Sequence, residues 1–174
     1  ASAEAAACAK AAAEAAAAAE AEAIAWQPSL GSRPALGGGV LFEDDLLDAS
    51  RRVAAVHVAV LSDESAGFSA HEEAAAALQA LAAEGDNPRL AITQAGALQP
   101  LVALLSGGSP HGKEHAAAAL ESLADSAANA VAIAKAGALK PLIALLPFGT
   151  PLAKEHAAGA IFKLARNAEN KVAV

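Results

Sequence analysis

The sequence has few of the residues that build sheets and disulfide frameworks. Aromatic residues occupy 3% of its 174 positions, Tyr and Met are absent, and Trp occurs once. β-Branched residues are also sparse, whereas Ala, the strongest helix former, fills roughly a third of the chain. The composition therefore predicts an all-α protein that is long enough to bury a real core.

The chain also lacks the features of several function classes. Cys8 is its single cysteine, so no intrachain disulfide can form and we expect an intracellular protein rather than a secreted one. The formal net charge of −7 argues against non-specific binding to nucleic acid or anionic lipid. The longest candidate for a membrane span, residues 53–61, is short and contains His57. We therefore expect no nucleic acid and no membrane span, and other protein chains as partners.

One eleven-residue phrase occurs twice, as AGALQPLVALL at 95–105 and as AGALKPLIALL at 136–146. The spacing of 41 residues continues downstream, because KEHAA at 113–117 is repeated at 154–158 and Asn129 is repeated as Asn170. An upstream copy precedes the first by 42 residues, with Asn87 at the position of Asn129. A register that holds across a whole period is an internal repeat. Periods near 41 are typical of helical solenoids, in which each unit buries its apolar face by stacking on its neighbours.

This spacing divides the chain into six segments. We predict an Ala-rich helical segment at 1–26 and a Gly/Pro linker at 27–40, followed by a degenerate repeat at 41–86. Repeats follow at 87–128 and 129–169, and residues 170–174 begin a further repeat. An array that stops there exposes the apolar face of Ile161 and Leu164. We therefore expect that the sequence is a fragment of a longer chain, or that another subunit covers this face.

Within one unit the signals predict three helices. The first begins near Asn87 or Asn129, whose side chain can cap the free N–H groups, and Pro88 suits the first helical position. It ends at Gly96 or Gly137, because glycine tolerates the left-handed turn that ends many helices.

The second and third predicted helices complete the unit. The second spans about 97–105, with Pro100 in its opening turn, and SGGSP or PFGTP stops it. The third spans about 113–125. It places four apolar residues at helical spacing on one face, namely Ala116, Leu120, Leu123 and Ala127.

Together these signals resemble the armadillo repeat family. The resemblance is carried by AGALxPLhALL (h, hydrophobic), a Gly-containing loop, KEHAAxAL, and an Asn before the next short helix, and it is best over about 70–174. It implies a right-handed α-solenoid of three-helix repeats that binds other proteins and is not an enzyme.

No residue pattern favours catalysis, a metal site or a cofactor. His111 and His115 are four residues apart, as metal ligands on a helix often are. We place His111 in a loop, however, and find no Cys or carboxylate at a fitting spacing. His115 recurs as His156, and we expect a residue repeated in each unit to be structural, because every unit has the same packing problem.

The family resemblance directs attention to the groove that third helices line in armadillo proteins. A peptide-binding subset of the family carries Trp and Asn there, four residues apart. The Trp positions map to Ala76, Ala118 and Gly159. The Asn positions map to Ala80, Ser122 and Lys163. None matches, so recognition of basic peptides in this way is not expected.

The candidate partner-binding groove is instead lined by small and charged residues. One line is neutral to acidic and the next, one repeat later, is basic. The two lines comprise Ala118, Ser122 and Asp125, then Gly159, Lys163 and Arg166. Their small residues suggest a smooth groove that a partner can approach closely, although the same residues also fit a plain solvent face.

Three functions fit the sequence. The first is a non-catalytic scaffold that serves as a structural subunit within a larger assembly. The second is a peptide-binding adaptor that recognises an acidic segment through Lys163 and Arg166. The third is the regulatory repeat region of a longer enzyme.

Overall fold

The computed structural model describes residues 41–63, 65–168 and 170. The predicted Ala-rich segment at 1–26, the linker at 27–40 and residues 171–174 lie outside this part. The described part contains eight α-helices and no strand, so the predicted all-α class is confirmed. The helices are α1 (Leu41–Ser62), α2 (Phe68–Ala83), α3 (Asp86–Gln94), α4 (Leu98–Gly107), α5 (Pro110–Leu123), α6 (Ala127–Lys135), α7 (Leu139–Phe148) and α8 (Pro151–Arg166).

Six of these helices form two units with the same layout. Unit 2 contains α3, α4 and α5, and unit 3 contains α6, α7 and α8. The first and second helices meet at 81° in unit 2 and at 84° in unit 3. None of the described helices alone has the length and apolar character to cross a membrane. The first and second helices of units 2 and 3 reach that length and composition only when each bent pair is taken together.

Glycine makes the bend between the first and second helices. Gly96 and Gly137 both have a φ of +82°, which side chains other than glycine rarely adopt. Gly96 N donates to Thr93 O at 3.1 Å and Ala97 N donates to Ile92 O at 3.3 Å, which is the hydrogen-bond pattern of a Schellman motif. Unit 3 repeats this pattern around Gly137. The predicted glycine stop is therefore confirmed in both units.

Unit 1, formed by α1 and α2, departs from the three-helix layout. α1 runs continuously for 22 residues, where units 2 and 3 would bend. At the 44-residue offset that aligns 58–62 with 102–106, Arg52 stands in place of Gly96. Because a non-glycine residue disfavours the left-handed turn, the helix continues through this position. One long helix thus replaces two, and it contacts α2, α3 and α4.

The third helices stack on one another along the solenoid. α2 contacts α5, and α5 contacts α8. Small residues at these contacts let the helix backbones approach closely. Fully buried alanines of this kind include Ala75, Ala116, Ala117, Ala119, Ala157 and Ala160. Leucines fill the space beside them, among them Leu78, Leu101, Leu120, Leu123, Leu142 and Leu164. The abundance of Ala therefore has a packing role in the described part.

The first helices start differently from the prediction. α6 begins at Ala127 after Ser126, so Asn129 is its third residue and does not cap it. Asn129 is buried, and its Oδ1 instead accepts a hydrogen bond from Thr93 Oγ1 at 3.1 Å, which joins α6 to α3. Asn87 is the second residue of α3, is exposed and is likewise not a cap. The predicted Asn caps were therefore wrong.

The third helices also start earlier than predicted. α5 begins at Pro110 rather than near residue 113, so His111 lies in its first turn and not in a loop. Ala127 does not extend the apolar face of α5, because it belongs to α6 and is exposed. Pro147 lies inside α7, which ends one residue later. The start of α5 follows from the Ser109 cap, whose Oγ accepts a hydrogen bond from Gly112 N at 3.0 Å and which the repeat alignment did not reveal.

Candidate functional site: the third-helix groove and the open edge

The predicted groove lies on α5 and α8 and in the turn after α5. Of its six residues, Asp125 and Arg166 are exposed. Ser122, Gly159 and Lys163 are partly buried, and Ala118 is buried. Gly159 lies beneath the Glu121 side chain, because a Cβ at this position would stand 2.6 Å from Glu121 Cδ. The carboxylate of Glu121 therefore covers part of the surface that the sequence suggested would be smooth.

The charged side chains of the groove bind one another. Lys163 Nζ lies 2.8 Å from Asp125 Oδ1 and donates a hydrogen bond to Glu121 O at 3.1 Å. Glu121 Oε2 lies 2.9 Å from His156 Nδ1. The acidic line of unit 2 is thus paired with a basic residue of unit 3, and their charges largely offset one another. Partly exposed pairs of this kind contribute about 0–1 kcal/mol each to stability.

Arg89 of α3 contacts the groove, and the sequence analysis did not identify it. Its Nη1 donates to Asp86 Oδ1 at 3.0 Å, and its Nη2 lies 3.4 Å from Asp125 Oδ2. Asp125 therefore lies between two cations, Arg89 and Lys163. The sequence did contain a signal, because a charge stands at position 89 where the next repeat has Ala130.

Arg166 borders a shallow depression at one end of the groove. The depression has a volume of about 270 Å³, and Asp125, Lys163 and Asn167 also line it. The Arg166 guanidinium lies 5.7 Å from the centre of the Phe162 ring, within the range of a cation–π contact. The end of the groove thus combines an exposed cation with one exposed aromatic ring.

A second set of contacts joins each third helix to the one before it. Ser109, the N-cap of α5, accepts a hydrogen bond from the N–H three residues on and donates one to Glu72 of α2. Thr150, the N-cap of α8, does the same, and its Oγ1 donates to Glu114 Oε2 at 2.7 Å. One hydroxyl therefore caps its own helix and also bonds the preceding third helix.

The repeated histidines make a further contact between third helices. His115 Nδ1 lies 2.8 Å from Gln79 Oε1, and His156 contacts Glu121 in the same way one repeat later. These contacts support the structural interpretation of both residues. His111 is exposed in the first turn of α5, and across 41–63, 65–168 and 170 no group of three or more His, Cys, Asp or Glu side chains could hold a metal ion.

Unit 3 leaves uncovered an apolar surface whose counterpart in unit 2 is covered. Leu105 is 2% exposed, whereas Leu146, 41 residues later, is 38% exposed. Ala117 is buried, whereas its counterpart Ala158 is exposed. We call this surface the open edge and define it by Ile143, Leu146, Ala158, Phe162 and Ala165. Along it no described helix stacks on α8 from the far side.

The open edge differs from the exposed face that the sequence predicted. Leu164 is 1% exposed, so its predicted exposure was wrong, and Ile161 is partly buried against the core. Unit 3 carries two exposed aromatic residues, Phe162, at 62%, and Phe148, at 91%. The missed signal was the replacement of Glu121 by Phe162 at the equivalent position of the next repeat.

The repeating three-helix layout has counterparts among known proteins. The armadillo/β-catenin-like repeat family matches residues 85–125, which contain all of unit 2. The described residues have the fold of an armadillo-repeat solenoid. The armadillo fold is generally a non-catalytic scaffold that binds proteins or peptides. Among curated proteins, none matches the chain.

Solved structures that are similar to the chain include designed armadillo repeat proteins. One is 29% identical over 74% of this chain and 53% of its own length, with a TM-score of 0.65. A computationally designed armadillo protein for modular peptide recognition is 29% identical over 78% of this chain and 56% of its own, with a TM-score of 0.66. A third, solved in complex with the peptide (KR)4, is 28% identical over the same shares, with a TM-score of 0.66. This chain thus spans about half the length of these armadillo proteins.

Proposed function

We propose that this armadillo chain is a protein-interaction scaffold that joins a larger assembly through the open edge. The observation that carries the proposal is the exposure of Leu146, Ile143 and Phe162. The residues at the equivalent positions of unit 2 are covered or lie against unit 3. Contiguous exposed apolar surface marks protein-interaction sites, because its removal from water is favourable. Large aromatic side chains at such surfaces often contribute most of the binding energy.

The electrostatics of the groove favour the open edge over the groove as the main contact. Lys163 is engaged by Asp125 and Glu121, and a ligand that bound Lys163 would have to displace these partners. The mapped positions of the peptide-binding Trp and Asn ladder hold other residues. The peptide binding named for designed armadillo proteins therefore gives this groove little support.

The test compares two double variants with the same change of charge. Ile143→Lys with Phe162→Glu alters the open edge, whereas Leu90→Lys with Phe68→Glu alters exposed positions elsewhere. All four positions are exposed, so both variants should keep the helix content and unfolding midpoint of the parent chain. We expect the parent chain and the Leu90/Phe68 control to capture the same proteins, and the edge variant to lose them. Equal capture by all three would overturn the proposal.

A second candidate is an adaptor that binds an acidic peptide at the end of the groove. It is favoured by the exposed Arg166 beside the depression that Asn167 also lines. A glutamate-rich peptide carrying a fluorophore should then bind the parent chain, and Arg166→Glu should weaken that binding at least tenfold. Peptide binding that the edge variant leaves intact would favour this candidate, and absence of binding would reject it.

A further inference from the structure

We propose that the open edge receives a further armadillo-type repeat, stacked in the same register, whose third helix begins with a Ser or Thr cap and carries an apolar side chain six residues later. This inference rests on the proposed function and adds the chemistry of the partner. It follows from two contacts that recur between the third helices of the chain.

The first recurring contact joins a capping hydroxyl to a Glu on the preceding third helix. Ser109 donates to Glu72, and Thr150 donates to Glu114. Glu155 is the next member of this series, 41 residues after Glu114, and it is exposed on α8. A helix stacked on α8 in the same register would place its N-cap beside Glu155. A hydroxyl there would both cap the arriving helix and bond the carboxylate.

The second recurring contact lies six residues after each cap. His115 follows Ser109 by six residues and meets Gln79, and His156 follows Thr150 by six and meets Glu121. Each histidine thus faces a polar side chain that can accept its hydrogen bond.

The next position in this series is Phe162, which is 62% exposed and offers no acceptor. A histidine stacked on Phe162 would lose the hydrogen bond that its predecessors make, and a buried unpaired donor is costly. The edge therefore favours an apolar side chain at this position of the partner helix.

A second copy of this chain does not fit these requirements. The helix that it would present to the open edge is α2, whose N-cap is Gly67 and offers no hydroxyl to Glu155. Six residues after this cap stands Glu73, which would bring a carboxylate against Phe162. Ser69 Oγ donates to Glu73 Oε1 at 3.2 Å, but this bond does not neutralise the carboxylate, so its burial against an apolar ring is unfavourable. The occupant we assign is consequently a repeat of different sequence.

The test extends the full chain by a copy of its own residues 134–166, joined directly after Val174. This junction preserves the 41-residue spacing. The copy carries either His or Leu at the counterpart of His156, and each version is made in the parent chain and in Phe162→Glu. With Phe162 present, the Leu copy should unfold about 2–4 °C higher than the His copy. In Phe162→Glu the order should reverse, because the Glu–His contact is restored.

Glu155→Ala provides an independent readout of the hydroxyl contact. It should leave the midpoint of the unextended chain unchanged and lower that of the extended chains by about 2–4 °C. A loss of equal size in the unextended chain would mean that Glu155 acts within its own helix, and would overturn the assigned register.

The outcomes separate this inference from the proposed function. The His copy and the Leu copy could slow hydrogen exchange in α8 equally, whether residue 162 is Phe or Glu. The edge would then bind helices without the assigned register, and only the inference would fail. If neither copy slows exchange in α8, the edge does not bind a helical repeat and the inference fails, whereas the capture experiment decides the proposed function separately. If the unextended chain sediments as a dimer that Phe162→Glu dissociates, a second copy is the occupant and the inference is overturned.

Discussion

At the scale of single residues, Glu121 organises the contact between the third helices of units 2 and 3. It reaches across Gly159 to His156, and its backbone oxygen accepts from Lys163. Glycine in a helix interior is about 1 kcal/mol less favourable than alanine, so its presence in α8 needs a reason. The reason is space, because any larger residue at 159 would displace the Glu121 carboxylate.

We predict that Gly159→Ala fails to stabilise the chain although alanine suits a helix better. The added Cβ would force Glu121 away from His156, so the free energy of unfolding should fall or stay unchanged. In a Glu121→Ala background the obstacle is gone, and Gly159→Ala should then raise the free energy of unfolding by about 1 kcal/mol. Urea unfolding of the four chains measures both effects. Equal stabilisation in both backgrounds would contradict the close approach.

At the scale of elements, the hydroxyl caps decide where the third helices begin. Thr150 accepts from Ala153 N and donates to Glu114, so it serves two helices at once. Ser126 occupies the same N-cap position before α6, but its side chain makes no capping hydrogen bond. The two residues therefore form a matched pair that differs in what the hydroxyl does.

We predict that Thr150→Ala lowers the free energy of unfolding by about 1–2 kcal/mol, because it removes a cap. Ser126→Ala should change this free energy by less than about 0.5 kcal/mol, as surface substitutions usually do. In a Glu114→Ala background the loss from Thr150→Ala should shrink, since one of its two bonds is already absent. Similar losses for Thr150 and Ser126 would show that the hydroxyl contacts contribute nothing specific.

At the scale of the whole molecule, position along the solenoid determines what each repeat buries. Leu105 and Leu146 occupy equivalent places on second helices, yet one belongs to the core and the other to the open edge. Contacts of α4 with α7, and of α5 with α8, provide the cover in unit 2. Stability in such an array is approximately a sum of unit and interface contributions.

We predict that Leu105→Ala lowers the free energy of unfolding by about 2–4 kcal/mol, as truncations in a packed core do. Leu146→Ala should cost less, about 1–2 kcal/mol, because 38% of that residue is already exposed to water. Denaturant unfolding of the two variants measures the difference. In the chain extended by a further repeat, the cost of Leu146→Ala should rise toward that of Leu105→Ala. An unchanged cost there would mean that the added unit leaves the edge open.

The helical class, the period and the bends at Gly96 and Gly137 follow from the sequence alone, because they depend on local preferences repeated at a fixed spacing. The repeat also predicted which residues line the groove. It did not predict the residues that these side chains contact, because Lys163 meets Asp125 and Thr150 meets Glu114 only when third helices stack. The same stacking decided that Leu164 is covered and Phe162 is not. Burial and charge pairing depend on residues one repeat away, and the tertiary structure alone brings those residues together.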